Sequence, residues 1–185
     1  MTTLVVPTVR LHESWAAAVA EFDSVPAMQG AGLWNLPQDE PLDTTRAGCA
    51  RVVEMLAELA DTSLAPPPGM VHCDHYWITD GQDGHDGAGE GQVVGFLALR
   101  HTLNDFLFEQ GGHVGYSVRP SRRREGHASR ALRLSVGRAA DLGIRRLLVT
   151  CDDDNRASAA TIEACGGELE DRRQGKLRYW IDTAS

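Results

Sequence analysis

Cysteine is scarce in this 185-residue chain: Cys49, Cys73, Cys151 and Cys165 stand far apart, with no C-x-x-C among them. That spacing argues against a zinc ribbon and a disulfide framework, and it fits a reduced cytoplasmic setting. Long apolar runs are missing too. A membrane helix needs roughly 18 or more consecutive apolar residues, and no stretch approaches that, so no membrane partner is expected. Met1-Thr2-Thr3-Leu4 opens without a basic stretch leading into an apolar run, so no secretory leader is expected. Internal repeats are absent. Net positive charge is absent as well: the formal charge is -8, which disfavours whole-chain attraction to nucleic acid or an anionic membrane.

What is present is ordinary for a globular chain, with 42% hydrophobic and 24% charged residues. The length suits one domain. Its charge, however, is uneven. Residues 119–146 hold nine arginines against Glu125 and Asp141, a net +7, whereas residues 1–118 carry -12 and residues 147–185 carry -3. A local anion site is therefore favoured inside an otherwise acidic protein.

Periodicity orders the elements. Residues 4–9 read as a short edge strand with Pro7 in it. Helices are expected over 11–23 and 46–61, the second capped by Thr44 or Thr45, with proline- and glycine-rich loop over 24–43. Strands are expected at 71–79, 92–100 and 113–119, the first two joined through a Gly/Asp-rich tip at 81–91. A helix from His127 to Leu142 follows, with Gly143 as its stop. A buried-type strand at 144–151, a helix at 155–165 and two strands at 168–173 and 177–182 close the chain. The result is a mixed α/β (α+β) arrangement of about seven strands and four helices.

The chemistry concentrates in Arg123-Arg124-Glu125-Gly126-His127-Ala128, between a strand and a helix. Loop amides and the unpaired N–H groups of a helix start point into such a turn, where the helix dipole adds positive charge. Gly126 and Ala128 leave room for backbone to approach a ligand. Arginines add charge-assisted donors. This reads as a pyrophosphate cradle; the same residues would also serve as a basic, solvated turn.

Strand, R-x-x-G-x-A, helix resembles the acetyl-CoA loop of the GNAT (Gcn5-related) N-acetyltransferases. Gly112-His113-Val114-Gly115-Tyr116-Ser117-Val118 looks like the strand leading into that loop, and Leu147-Leu148-Val149-Thr150-Cys151-Asp152 like the next strand. Asn155-x-x-Ser158 with Ile162-Glu163-x-x-Gly166-Gly167 is similar to the helix after it. The wording resembles a branch of predicted bacterial acetyltransferases. The resemblance implies one GNAT domain over 1–185, with a helical part and first strand at 1–70 and the cofactor-binding core at 71–182. It implies acetyl-CoA as acyl donor, direct transfer to an amine, and a possible homodimer as in many of the family. Arg122, Arg123, Arg124, Glu125, Gly126, His127 and Ala128 would hold the pyrophosphate. Val118 would meet the pantetheine arm and offer its N–H as an oxyanion donor, with Asn155 and Ser158 facing the cofactor.

One departure stands out. Many members carry a tyrosine seven residues after that asparagine, placed to protonate the thiolate; here it is Ile162. Tyr116 and Tyr179 are alternative acids. His113, Glu109 and His101 are candidate bases, each also readable as a surface residue. The acidic surplus suggests a small cationic amine as acceptor. The missing tyrosine allows an alternative, a catalytically weak acyl-CoA sensor or interaction module on the same fold. No metal is expected: His72-Cys73-Asp74-His75 alternate faces in a strand and cannot converge. The glycine-rich tip carries Asp83, Asp86 and Glu90 and reads as a loop, not a nucleotide site. Trp15, Phe22 and Trp34 suit a core or a lid, Cys151 and Cys165 suit packing, and the basic run lacks the interleaved aromatics of a nucleic-acid surface.

Overall fold

The computed structural model describes residues 1–36, 41–81 and 91–183. The expected glycine-rich tip thus falls largely outside the described residues. Among these residues seven strands form one sheet: β1 (Thr3–Val5), β2 (Cys73–Thr79), β3 (Val93–Arg100), β4 (Val114–Val118), β5 (Arg146–Asp152), β6 (Glu168–Arg173) and β7 (Lys176–Asp182). Their order is β1-β2-β3-β4-β5-β7-β6. Four α-helices are described: α1 (His12–Val19), α2 (Arg46–Ala60), α3 (His127–Asp141) and α4 (Arg156–Glu163).

The helices divide between the faces. Trp15, Ala18 and Val19 of α1 and Cys49, Val52, Leu56 and Leu59 of α2 pack on Trp77 and Phe96. Trp15 stacks on Trp77 at 6.1 Å and Phe22 lies 5.9 Å from Phe96, so these two aromatics are core. Ala131, Leu132 and Ala139 of α3 and Ile162 of α4 pack on Ile78, Leu97, Leu99 and Val149 of the other face. With helices on both sides, β2 and β3 are buried almost throughout instead of alternating. Small alanines on the stripe of α3 let it sit close to the sheet, and its arginines fall off that stripe. Thr45 caps α2, its hydroxyl accepting from the Gly48 N–H at 3.2 Å.

Several segments differ from the sequence-based expectation: α1 ends at Val19 where a helix to 23 is expected, and β5 starts at Arg146, two residues late. β1 is only three residues, because Pro7 cannot donate to a ladder and Thr8 starts a 3-10 turn at Val9–Leu11. Residues 24–36 are not featureless: 3-10 turns at Val25–Ala27 and Leu33–Asn35 bury Met28, Ala31 and Leu33. A π-helical turn, Leu107–Gly111, precedes β4.

Among the described residues, the only parallel neighbours are β4 and β5, and they pair at one point, Val114 with Val149. Beyond that point the strands part. The opening so made in the middle of the sheet positions everything that follows.

Candidate active site

The β4–α3 loop is tied down by its own ion pairs. Glu21, from beyond α1, accepts from Arg119 Nε at 2.7 Å and from the Ser121 N–H and hydroxyl at 2.9 Å each. The bond from Arg119 leads in holding the Glu21 carboxyl down at about 2. Arg122 bridges Asp80 at 2.6 Å and Glu125 at 3.0 Å. His127 is buried, its Nδ1 2.9 Å from the Thr2 hydroxyl and its Nε2 3.2 Å from Glu125. The side chains of Arg122, Glu125 and His127 are therefore engaged within the protein.

What the loop leaves open is different. Gly126 is the N-cap of α3 with φ 83, a left-handed conformation natural to glycine, and no side chain caps the helix. The first-turn amides at His127, Ala128 and Ser129 thus have no side-chain acceptor among the described residues. Arg124, also left-handed at φ 66, is exposed. Arg123 is exposed and spends only Nε, on the Val118 carbonyl at 3.1 Å. These groups surround a turn suited to a polyanion.

The neighbouring edge of β4 is suited to an extended ligand. The Arg119 N–H donates to Val94, so in the antiparallel ladder Arg119, Ser117 and Gly115 turn their amides toward β3. Those of Val118, Tyr116 and Val114 turn toward β5. Only Val114 finds a strand partner there. The other side of the opening is α4, where Asn155 Oδ1 accepts the Ser158 N–H at 3.0 Å and caps the helix. Tyr116 spans the gap, its hydroxyl 2.9 Å from Ser158 Oγ. Burial pushes the Tyr116 phenol up to about 12, so it stays protonated at neutral pH.

A cleft of 840 Å³ lies beside the opening, reaching Gly115, Tyr116, Cys151, Asn155 and Ser158. Its lining includes the apolar side chains of Met28, Leu33, Trp34, Met70 and Phe106. Trp34 and Phe106 are well exposed. Its floor carries His75, Ala98 and Arg100. Asp152 is the one carboxylate among the described residues that line it, and Lys176 binds it.

The candidate bases lie apart from this lining. His113 is buried; its Nδ1 accepts the Leu148 N–H at 2.9 Å and its backbone N–H donates to the Leu148 carbonyl, stitching β4 to β5 just before they part. Desolvation lowers its proton affinity to about 4. Glu109 faces Arg173 at 3.2 Å. His101 binds Asp74 at 2.9 Å. Tyr179 donates to Glu163 at 3.0 Å. Cys73 and His75 share the cleft face while Asp74 meets His101 and Tyr76, the alternation that keeps this run from converging. Sequence reasoning missed His75 and Arg100 as cleft residues. Only the register of β2 with β3 brings them together, and no contiguous motif records it.

A family model described as an acetyltransferase (GNAT) domain matches residues 9–168. No curated protein matches the sequence. Solved structures match over nearly the whole chain at low identity, which speaks for the fold. The microcin self-immunity acetyltransferase MccE, solved with acetyl-CoA and AMP, is 15% identical, with 98% of this chain and 92% of that chain covered and a TM-score of 0.62. A ribosomal-protein alanine acetyltransferase from Vibrio fischeri is 16% identical, with coverage of 100% and 93% and a TM-score of 0.65. RimL, a ribosomal-protein alpha-N acetyltransferase solved with coenzyme A, is 16% identical, with coverage of 98% and 93% and a TM-score of 0.63. With the family model spanning most of its length and the sheet parting between β4 and β5 beside an uncapped helix start, the chain belongs to the GNAT acetyltransferase family.

Proposed function

We propose that the protein transfers acetyl from acetyl-CoA directly to a primary amine, as an N-acetyltransferase. The observation that carries this reading is the opening between β4 and β5, with free backbone amides on one side and the Tyr116–Ser158 pair on the other. The donor groups fit the ligand's chemistry. Arg123, Arg124 and the amides from Gly126 to Ala128 would hold the pyrophosphate, while Arg122, Glu125 and His127 hold the loop in shape. Asn155 and Ser158 would face the pantetheine arm. The ligands of MccE and RimL, acetyl-CoA and coenzyme A, support this choice.

In the transfer the amine nitrogen bonds to the thioester carbonyl carbon and the carbon–sulfur bond breaks. The Val118 N–H would stabilise negative charge on the carbonyl oxygen. The proton for the sulfur would come from Ser158, replenished by the Tyr116 hydroxyl behind it. This pair stands in for the tyrosine replaced by Ile162, a residue wholly buried in the core. The amine's own proton would leave to water in the open cleft. We place neither His113, whose acceptor nitrogen is occupied, nor Glu109, held by Arg173, in this step. The acidic surplus does not gather in the described cleft lining, which removes the main argument for a cationic acceptor.

Calorimetric titration with acetyl-CoA tests the donor, and thiol release across a panel of amines tests transfer. Binding with turnover is expected. Binding without turnover on any amine would favour a sensor, and no binding at about millimolar acetyl-CoA, a generous limit for a substrate, would defeat both.

A further inference from the structure

Arg100 ends β3 on the floor of the cleft. Its Nη1 donates to the carbonyls of Gly111 and Gly112, each at 3.1 Å. Two carbonyls fix the guanidinium but leave its charge whole. No carboxylate among the described residues pairs with it. Arg119, Arg122 and Arg178 each meet at least one carboxylate. Arg100 is half-buried; a cation partly withdrawn from water without a counter-charge is costly, and burial lowers its proton affinity. Nη2 and Nε retain donors suited to a carboxylate.

The register shows where that cation stands. Cys73 pairs with Arg100, His75 with Ala98, and Ala98 with Gly115. All lie on one face, beneath the 28–34 segment. Gly115 offers no side chain, and the guanidinium lies over it: a Cβ there would stand 3.6 Å from Nη2 and 3.7 Å from Nη1. The next residue, Tyr116, turns its amide into the opening of the sheet. Beside Arg100, His75 is 7% exposed and its Nδ1 has no hydrogen-bond partner.

We propose that the acceptor is an amine bearing its own carboxylate, a free amino acid with an apolar side chain, and that Arg100 binds the carboxylate with His75 Nδ1 as a further polar contact. Met28, Leu33, Trp34, Met70 and Phe106 would receive the side chain. The inference rests on the N-acetyltransferase reading and names its substrate class. It also separates a free amino acid from a peptide N-terminus, which has an amide where the carboxylate would be.

The test compares leucine, methionine, phenylalanine and tryptophan with their carboxamides and with dipeptides they begin, reading thiol release from acetyl-CoA. The free acids should exceed the amides in kcat/KM by about 10- to 100-fold, the worth of a charge-assisted bond. Arg100→Gln should bring acid and amide within about threefold of each other, while acetyl-CoA affinity by calorimetry stays within about threefold of the native protein. Amides as good as acids on the native protein, or a preference that survives in Arg100→Gln, overturns the proposal. Should Arg100→Gln fail to fold, the native acid–amide comparison still decides. If acetyl-CoA binds and no amine reacts, titration of N-acetyl-leucine in the presence of coenzyme A decides: absence of binding overturns the proposal, and binding that its amide lacks supports it. Failure of acetyl-CoA itself to bind strikes the N-acetyltransferase reading instead, and neutral amines reacting while acids do not strikes only this one.

Discussion

The cradle and the cleft meet at the same gap in the sheet, yet they are built in opposite ways. The cradle is a short contiguous run, residues 118–128, that offers mainly backbone amides and two exposed arginines. The cleft gathers side chains from Val25 to Lys176. A turn can present amides from local sequence alone, because glycine conformation and a helix start suffice. A pocket of side chains needs strands in register and loops laid over them. The comparison also redraws the charge map: the basic run borrows Glu21 and Asp80 from the acidic part, while Arg100, in that acidic part, has no carboxylate partner among the described residues.

The largest expected effect falls on the cleft. Gly30 has φ +85, and a Cβ there would lie 2.4 Å from the Gly115 carbonyl oxygen. Gly30→Leu should destabilise the fold by about 3 kcal/mol or more, the sum of a left-handed penalty and overpacking, as read by denaturant melts. An unchanged melt would mean that the 28–34 segment does not press on β4. On the cradle side, Gly126→Val should weaken acetyl-CoA binding by about 100-fold, since the branched side chain strains the left-handed cap and crowds the turn. Apart from its own chain neighbours, no atom of the described residues lies within 4 Å of a Cβ at that position, so folding should suffer less than binding. Equal affinity would mean that the cradle is misassigned.

Between the two sides, Tyr116→Phe should lower kcat by roughly 100-fold, the low end for a positioned acid, and leave the KM for acetyl-CoA nearly unchanged. A shift in KM alone would make the hydroxyl a binding group. The smallest effect is on pH dependence. Burial, the leading cause, lowers His75 and His113 to about 4. Both are depressed on folding, so their contribution is complete above an unfolded value of about 6.5 and is lost as pH falls toward 4. Glu21, lowered from 4.5 to about 2, extends the loss below that. Stability measured by urea melts should decline from pH 6.5 downward. A flat profile to pH 4 would contradict the buried, neutral state of both histidines.

Legibility in the sequence follows the same division. Hydrophobic period placed the helices and strands, and α2 and β3 lie within a residue of the expected bounds. The position of 123–128 between a strand and a helix is legible because its parts adjoin. Glu21 with Arg119 was not, since 98 positions separate them and only folding shows that one carboxylate organises the turn. Tyr116 and Ser158, 42 apart, meet only because β4 and α4 flank the opening. His113 looked like a base at the mouth of a strand, but register spends its lone pair on Leu148. Arg100 drew no notice as the last residue of an apolar strand. Its meaning lies in the lack of a facing carboxylate among the described residues, and that is a property of three dimensions.

The most direct measurement is a calorimetric titration of acetyl-CoA into the native protein and into Arg100→Gln. Saturable one-to-one binding with closely similar affinity in both is expected, because under the proposed function the loop at 118–128 would hold the donor and Arg100 would stand on the acceptor side. No binding to the folded native protein, or a loss in Arg100→Gln as large as that expected for Gly126→Val, would contradict it.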